Sequence, residues 1–100
     1  MIYLTQLIYI KEGQESVFDE FEAIAIPIIR KYNGELILRV RPGDDSLVEG
    51  TVELPYEIHL VSFPTQLDCD NFAMDEERKS FIHLKEDSIR EAILYQGKRV

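Results

Sequence analysis

Four side chains have the types and spacing to do chemistry together. Arg39 and Arg41 lie two apart in one alternating stretch, and Glu57 and His59 lie two apart in another. In an extended strand, residues two apart share a side. If the two strands are neighbours, a pair of guanidinium groups, a carboxylate and an imidazole converge, with Tyr3, Tyr9 and Tyr95 on flanking strands. An imidazole exchanges a proton near neutral pH, and an arginine can hold the anionic or enolate oxygen of a small substrate. On this reading His59 is the catalytic candidate, and Arg39, Arg41, Glu57, Tyr9 and Tyr95 are the ligand-binding candidates. The same residues also suit a structural role, in which Arg39 and Glu57 form a cross-strand ion pair at an interface between two copies, with His59 hydrogen-bonded beside it. Both readings stay open at the level of sequence.

Other chemistries find less support. His59, His83 and Cys69 lack zinc-ligand spacing, and Asp68-Cys69-Asp70 lacks the glycine-containing pattern of a calcium loop, so no metal is expected. Cys69 has no base partner legible in the sequence and reads as a passive thiol; His83 reads as a surface or packing residue. Glu15, Asp19 and Glu22 fall at helical spacing and read as a solvated helix face. There is neither a glycine-rich phosphate loop nor a Gly-x-Ser-x-Gly elbow, and no cofactor is expected.

The elements that must position the four residues follow from periodicity. Ile2–Ile10 alternates, with Ile2, Leu4, Ile8 and Ile10 on one side and Tyr3, Leu7 and Tyr9 on the other. Val17, Phe18, Phe21, Ile24, Ala25, Ile28 and Tyr32 then recur at helical spacing, and Pro27 inside that segment predicts a kink near Ala23–Ile24. Asn33-Gly34 is a helix stop. A second strand is expected from Glu35 to Arg41, with Leu36, Leu38 and Val40 on one face and Ile37, Arg39 and Arg41 on the other. A third is expected from Tyr56 to Phe63, with Tyr56, Ile58 and Leu60 opposite Glu57, His59, Val61 and Phe63. The long connection from Pro42 to Pro55 is rich in turn residues and reads as a mobile or partner-contacting segment. Thr65 can cap a helix with Asp68 three residues on, and two short helices joined near Asp75 are expected before a last strand at Glu91–Lys98.

The resulting order, β-α-β-β-α-β, is the split βαβ motif: an α+β, ferredoxin-like fold with a four-stranded antiparallel sheet and helices on one face, built as one domain over residues 1–100. Two helices can hide Ile2, Leu4, Ile8, Ile10, Leu36, Leu38, Ile58 and Leu60. The second face, with Tyr3, Leu7, Tyr9, Ile37, Val61, Phe63, Ile93 and Tyr95, has no cover within the chain, and the simplest cover is a second copy across a two-fold axis.

Charge and composition set outer bounds. A formal net charge of −8 opposes the basic surface that nucleic acid or an anionic membrane requires, so neither partner is expected. The single cysteine cannot form an internal disulfide, and no basic-then-apolar leader or membrane-length apolar run is present; a reducing cytoplasm fits.

Four short runs carry a resemblance. Pro27 with Tyr32-Asn33-Gly34, Leu38-Arg39, Leu47-Val48-Glu49-Gly50 and Ser62-Phe63-Pro64-Thr65 stand in an order and spacing that resembles small uncharacterised members of the dimeric α/β-barrel superfamily. Asn33 replaces the first glycine of that family's Gly-Gly pair, and the absence of tryptophan keeps an Asn/Trp/His haem-degrading set from being carried over. The resemblance implies two ferredoxin-like protomers packed sheet to sheet, with a cavity between sheet and helices or at the dimer interface. It implies no catalytic residue, because the fold hosts many chemistries. Two functions are therefore carried forward: a homodimeric protein that binds or converts a small organic molecule as a cofactor-independent monooxygenase or isomerase, or a non-catalytic homodimeric binding or interaction module.

Overall fold

In a computed structural model covering residues 1–100, the chain runs β1 (Ile2–Ile10), α1 (Glu15–Lys31), β2 (Glu35–Val40), β3 (Glu57–Phe63), α2 (Gln66–Ala73), α3 (Glu76–Ser80), α4 (Ile82–Ser88) and β4 (Ile89–Lys98). The strands form one antiparallel sheet in the order β2-β3-β1-β4, and the helices lie on one side of it. This is the ferredoxin-like α+β arrangement expected from the sequence.

The helix boundaries have local causes. α1 stops where Asn33 takes a positive φ of 65° and Gly34 N–H donates back to the Ile29 carbonyl. Gly34 is required by close approach, since a β-carbon there would lie 2.5 Å from the Phe63 ring and 2.7 Å from Ile29 Cγ2. α1 is continuous through Pro27. Thr65 Oγ accepts the Asp68 N–H at the start of α2, as its spacing suggests. The region after it holds three short helices rather than two. Asp75 caps α3 by accepting the Arg78 N–H, and its carboxylate also takes hydrogen bonds from the Tyr32 hydroxyl and the Lys31 ammonium. β4 begins at Ile89, two residues before the expected start at Glu91.

The faces of β2 and β3 differ from the sequence reading by one residue of phase. Residues directly opposite in a ladder share a face. β1 and β3 pair Ile2 with Phe63, Leu4 with Val61, Gln6 with His59 and Ile8 with Glu57, so Glu57, His59, Val61 and Phe63 lie beneath the helices. In β2 an irregularity between Leu36 and Leu38 inserts one extra residue, leaving Leu36 beside Val61 but bringing Arg39 beside His59 on the same covered side. Leu38, Val40, Ile58 and Leu60 accordingly stand on the opposite face with Tyr3, Leu7, Ile93 and Tyr95. β3 is apolar on both sides, and alternation alone does not say which side meets the helices.

The core packs Ile2, Ile29 and Phe63 together, with Leu4, Tyr32, Leu36, Val61, Cys69 and Phe72 against them. On the uncovered face Leu38, Val40, Ile93 and Tyr95 are exposed, with Tyr95 at 66%. No helix is long and apolar enough to cross a membrane.

Candidate functional site

Arg39, Arg41, Glu57 and His59 do come together, but beneath the helices instead of on the uncovered face. Glu57 is completely buried and His59 is 4% exposed. The Glu57 carboxylate is shared three ways: Arg39 Nε donates to Oε2 at 2.9 Å, Arg41 Nε donates to Oε1 at 2.8 Å, and His59 Nε2 lies 2.5 Å from Oε2. Arg41 also reaches Asp19 of α1 at 2.7 Å and lays its guanidinium 4.9 Å from the Tyr56 ring centre. Burial pushes the Glu57 carboxyl up, but the hydrogen bonds from Arg39, His59 and Arg41 outweigh it and hold the group below the usual carboxylate range. A buried carboxylate is thus kept ionised, with the imidazole fixed against it.

The two tyrosines lie elsewhere. Tyr9 is on the other face of the sheet, where its hydroxyl donates to the Glu53 carbonyl at 3.0 Å and Arg90 sits 5.7 Å from its ring centre. Arg90 in turn pairs with Glu53 at 2.6 Å, so part of the long connection is held down over Tyr9. Tyr95 stands exposed on the open face. A shallow hollow of about 360 Å³ is lined by both Tyr9 and Arg41, with Tyr56, Arg90 and the chain at Glu53–Pro55, whereas Tyr95 takes no part in it.

His59 borders a second cavity of about 190 Å³ between the sheet and the helices. Its walls are largely apolar: Leu4, Val61 and Phe63 from the sheet, Phe21, Ala25 and Ile29 from α1, and Phe72 from α2. Three charged groups that the sequence reading did not select enter the same space: Glu22 from α1, Arg78 from α3 and Lys85 from α4. Glu22 is not on the solvated face with Glu15 and Asp19. It lies one turn after Phe18 and beside Phe21, inside the apolar stripe, and is 7% exposed. Burial, reinforced by the nearby Glu57 charge, raises its carboxyl from 4.5 to about 7. The spacing to Phe18 and Ala25 was the signal that could have found it. Arg78 and Lys85 fall in short, irregular helices that give no periodicity to read.

Cys69 also lines the cavity, and burial raises its thiol, followed in effect by the Asp70 charge. A thiol held protonated in this way is a poor nucleophile. No three His, Cys, Asp or Glu side chains converge in an arrangement that could hold a metal ion.

No protein-family model matches the chain, and no curated protein resembles it in sequence. Solved structures do resemble it in fold. A protein of unknown function from Rhodopseudomonas palustris matches with a TM-score of 0.84 at 9% identity, over 99% of this chain and 82% of that one. A nipsnap family protein with unknown function from Agrobacterium tumefaciens matches at 0.69 and 20% identity, over 99% and 87%. A dimeric ferredoxin-like protein of unknown function from Jannaschia sp. CCS1 matches at 0.74 and 17% identity, over 98% of both chains. These likenesses show the ferredoxin-like fold.

Proposed function

We propose that the protein is a homodimer that binds a small organic molecule in the cavity between sheet and helices and moves a proton on it, as a cofactor-independent isomerase does. The observation that carries this reading is the buried Glu57 carboxylate holding His59 at the wall of an apolar cavity that also contains Glu22, whose carboxyl is raised to about 7. Glu57 occupies Nε2 of the ring, which leaves Nδ1 as the nitrogen available to a guest. The carboxylate stabilises the imidazolium that forms when His59 accepts a proton. In the reaction supported by this arrangement, His59 removes a proton from a carbon next to a carbonyl. The C–H electron pair becomes the C=C bond of the enol, and the carbonyl oxygen takes the proton of Glu22. With a β,γ-unsaturated carbonyl compound the enol is a dienol: the imidazolium of His59 returns its proton at the γ-carbon, the enol hydroxyl gives its proton back to Glu22, and the double bond has moved into conjugation with the carbonyl. Pairs of titratable groups pushed in opposite directions, as Glu57 and Glu22 are here, suit a division of labour of this kind.

The alternative, a dry polar cluster that only fixes an interface between copies, is less well supported, because the cluster is on the covered side of the sheet. The dimer itself rests on the other face, where Leu38, Val40, Leu60, Ile93 and Tyr95 form a partly or fully exposed apolar surface, and on the assembly described for the Jannaschia protein. The acidic charge argues against nucleic acid and anionic membrane as partners, and a single cysteine, which cannot form an internal disulfide, suits a reducing cytoplasm.

Deuterium exchange tests the chemistry directly. Phenylacetone, with its enolisable carbon and single ring, is incubated with protein in D2O and followed by proton NMR. The wild type is expected to accelerate loss of the α-proton signal, and His59→Ala to reduce that rate at least tenfold while retaining its circular dichroism spectrum. A wild-type rate no greater than that of folded His59→Ala contradicts the proton-transfer reading.

A further inference from the structure

Among the lysines and arginines without an ion pair, Arg78 and Lys85 are set apart by lining the cavity. The chain has 19 acidic residues against 11 lysines and arginines, so partners for cations are abundant. Lys31, Arg39, Arg41 and Arg90 all take one. Neither Arg78 nor Lys85 is in an ion pair, although both face the cavity. The Arg78 guanidinium lies 5.1 Å from the Phe72 ring centre and donates through Nη1 to the Ala73 carbonyl, while its Nε is buried with no hydrogen-bond partner. Buried polar atoms of native proteins are almost always satisfied, and an exception calls for a missing partner. Glu22 enters the same cavity and its charge favours both cations, but it makes no hydrogen bond or ion pair with either. Burial lowers both cationic groups from their usual values, the neighbouring Arg78 charge adds to this at Lys85, and the charges of Glu22, Asp75 and Glu86 offset it only in part.

We propose that the cavity takes a small apolar carboxylic acid in its ionised form, with the carboxylate against Arg78 and Lys85 and the hydrocarbon part against Leu4, Phe63 and Phe72. This names the ligand class for the site of the proton-transfer reading and rests on that reading's cavity. It also relocates the anion clamp: Arg39, the residue chosen from sequence, already serves Glu57, whereas the Arg78 guanidinium lines the cavity and spends one hydrogen bond, from Nη1 to the Ala73 carbonyl. Size agrees with the assignment. An engineered apolar cavity of about 150 Å³ in another protein accepts benzene, and the space here, about 190 Å³, suits one ring or a short chain with its acid group.

Isothermal titration with phenylacetate and its neutral isostere phenylacetamide separates the possibilities, using the intact wild-type protein, Arg78→Met, Arg78→Lys and Lys85→Met. The wild type is expected to bind phenylacetate at least tenfold more tightly than phenylacetamide. Arg78→Met should remove that preference while leaving phenylacetamide binding within about twofold, and Arg78→Lys, which keeps the charge, should retain part of it. Lys85→Met reports the second cation in a variant that leaves Arg78 and its Phe72 contact in place, so a failure of Arg78→Met to fold leaves the claim exposed to test. Equal wild-type affinity for acid and amide overturns the acid assignment and leaves the cavity reading standing. A preference unchanged in folded Arg78→Met and Lys85→Met also overturns it. Binding of neither probe at millimolar concentration overturns the cavity reading and the acid assignment together.

Discussion

Glu22→Gln is expected to make the protein more stable, and only at neutral and alkaline pH. Folding raises the Glu22 carboxyl from 4.5 to about 7, so the folded state holds a proton that the unfolded chain releases between those values. Stability therefore falls as pH rises through that window, because the folded state binds more protons. The shift of about 2.5 units corresponds to about 3 kcal/mol of destabilisation above pH 7, at about 1.4 kcal/mol per unit. Glutamine is close in shape to the protonated acid and does not ionise, so the variant escapes the penalty. At pH 8 it should be more stable by about 3 kcal/mol, or upwards of about 10 °C in melting temperature for a domain of this size; near pH 4.5 the difference should shrink to under about 1 kcal/mol. The assay is thermal or urea unfolding of both proteins from pH 4.5 to 8, at one protomer concentration because dimerisation shifts apparent stability. Glu57 and Asp75, both held below their usual range, act in the opposite sense. Their contributions are present above the ordinary carboxylate value and are lost as pH falls through their lower folded values, so they do not obscure the window above pH 4.5. Equal stabilities at pH 8, or a gain of the same size at every pH, would refute the reasoning. If the gain appears together with loss of deuterium exchange, Glu22 is a residue whose destabilising burial serves the site.

Three further outcomes follow from the packing. Gly34→Ala forces a methyl into the Phe63 ring at 2.5 Å and should lower stability by about 1–3 kcal/mol or more in urea melts, whereas tolerance of the alanine would mean that the helix-to-β2 turn is looser than described. Arg39→Met removes one of the three partners of Glu57 and should cost about 1.5–3 kcal/mol, with a greater loss when Arg41→Met is added; an additive, small effect at both positions would show that the carboxylate does not depend on them. Leu60→Lys, in β3 on the uncovered face, should shift light-scattering mass from about two chains toward one while the circular dichroism spectrum stays native, and an unchanged dimer would place the interface elsewhere.

Much of this architecture is legible from residue patterns. The strand at Ile2–Ile10, the helix starting near Glu15, the Asn33-Gly34 stop and the Thr65 cap each depend on chemistry within a few residues. The meeting of Arg39, Arg41, Glu57 and His59 also follows from period-two spacing on neighbouring strands. The side on which they meet does not. β3 carries Ile58 and Leu60 on one face and Val61 and Phe63 on the other, so hydrophobicity is divided almost evenly and only the pairing with β1 decides the choice. The extra residue between Leu36 and Leu38 reverses β2 with no glycine or proline to announce it. Glu22 is ambiguous for a different reason: it stands seven residues after the exposed Glu15 but four after the buried Phe18, and the apolar neighbours decide its side. Arg78 and Lys85 depend on how three short helices fold back over the sheet, and no local pattern encodes that.

The most direct test of the account asks whether a small molecule enters the space beneath the helices. With methyl-labelled protein and millimolar phenylacetate and phenylacetamide, intermolecular NOEs should connect the ligand ring protons to the methyls of Leu4, Ala25 and Val61, which line that cavity. Cross-peaks to these methyls are the expected result. If both ligands show contacts only to Leu38, Val40 or Leu60 on the uncovered face, or none to any methyl, the cavity is not a ligand site and the functional account is contradicted.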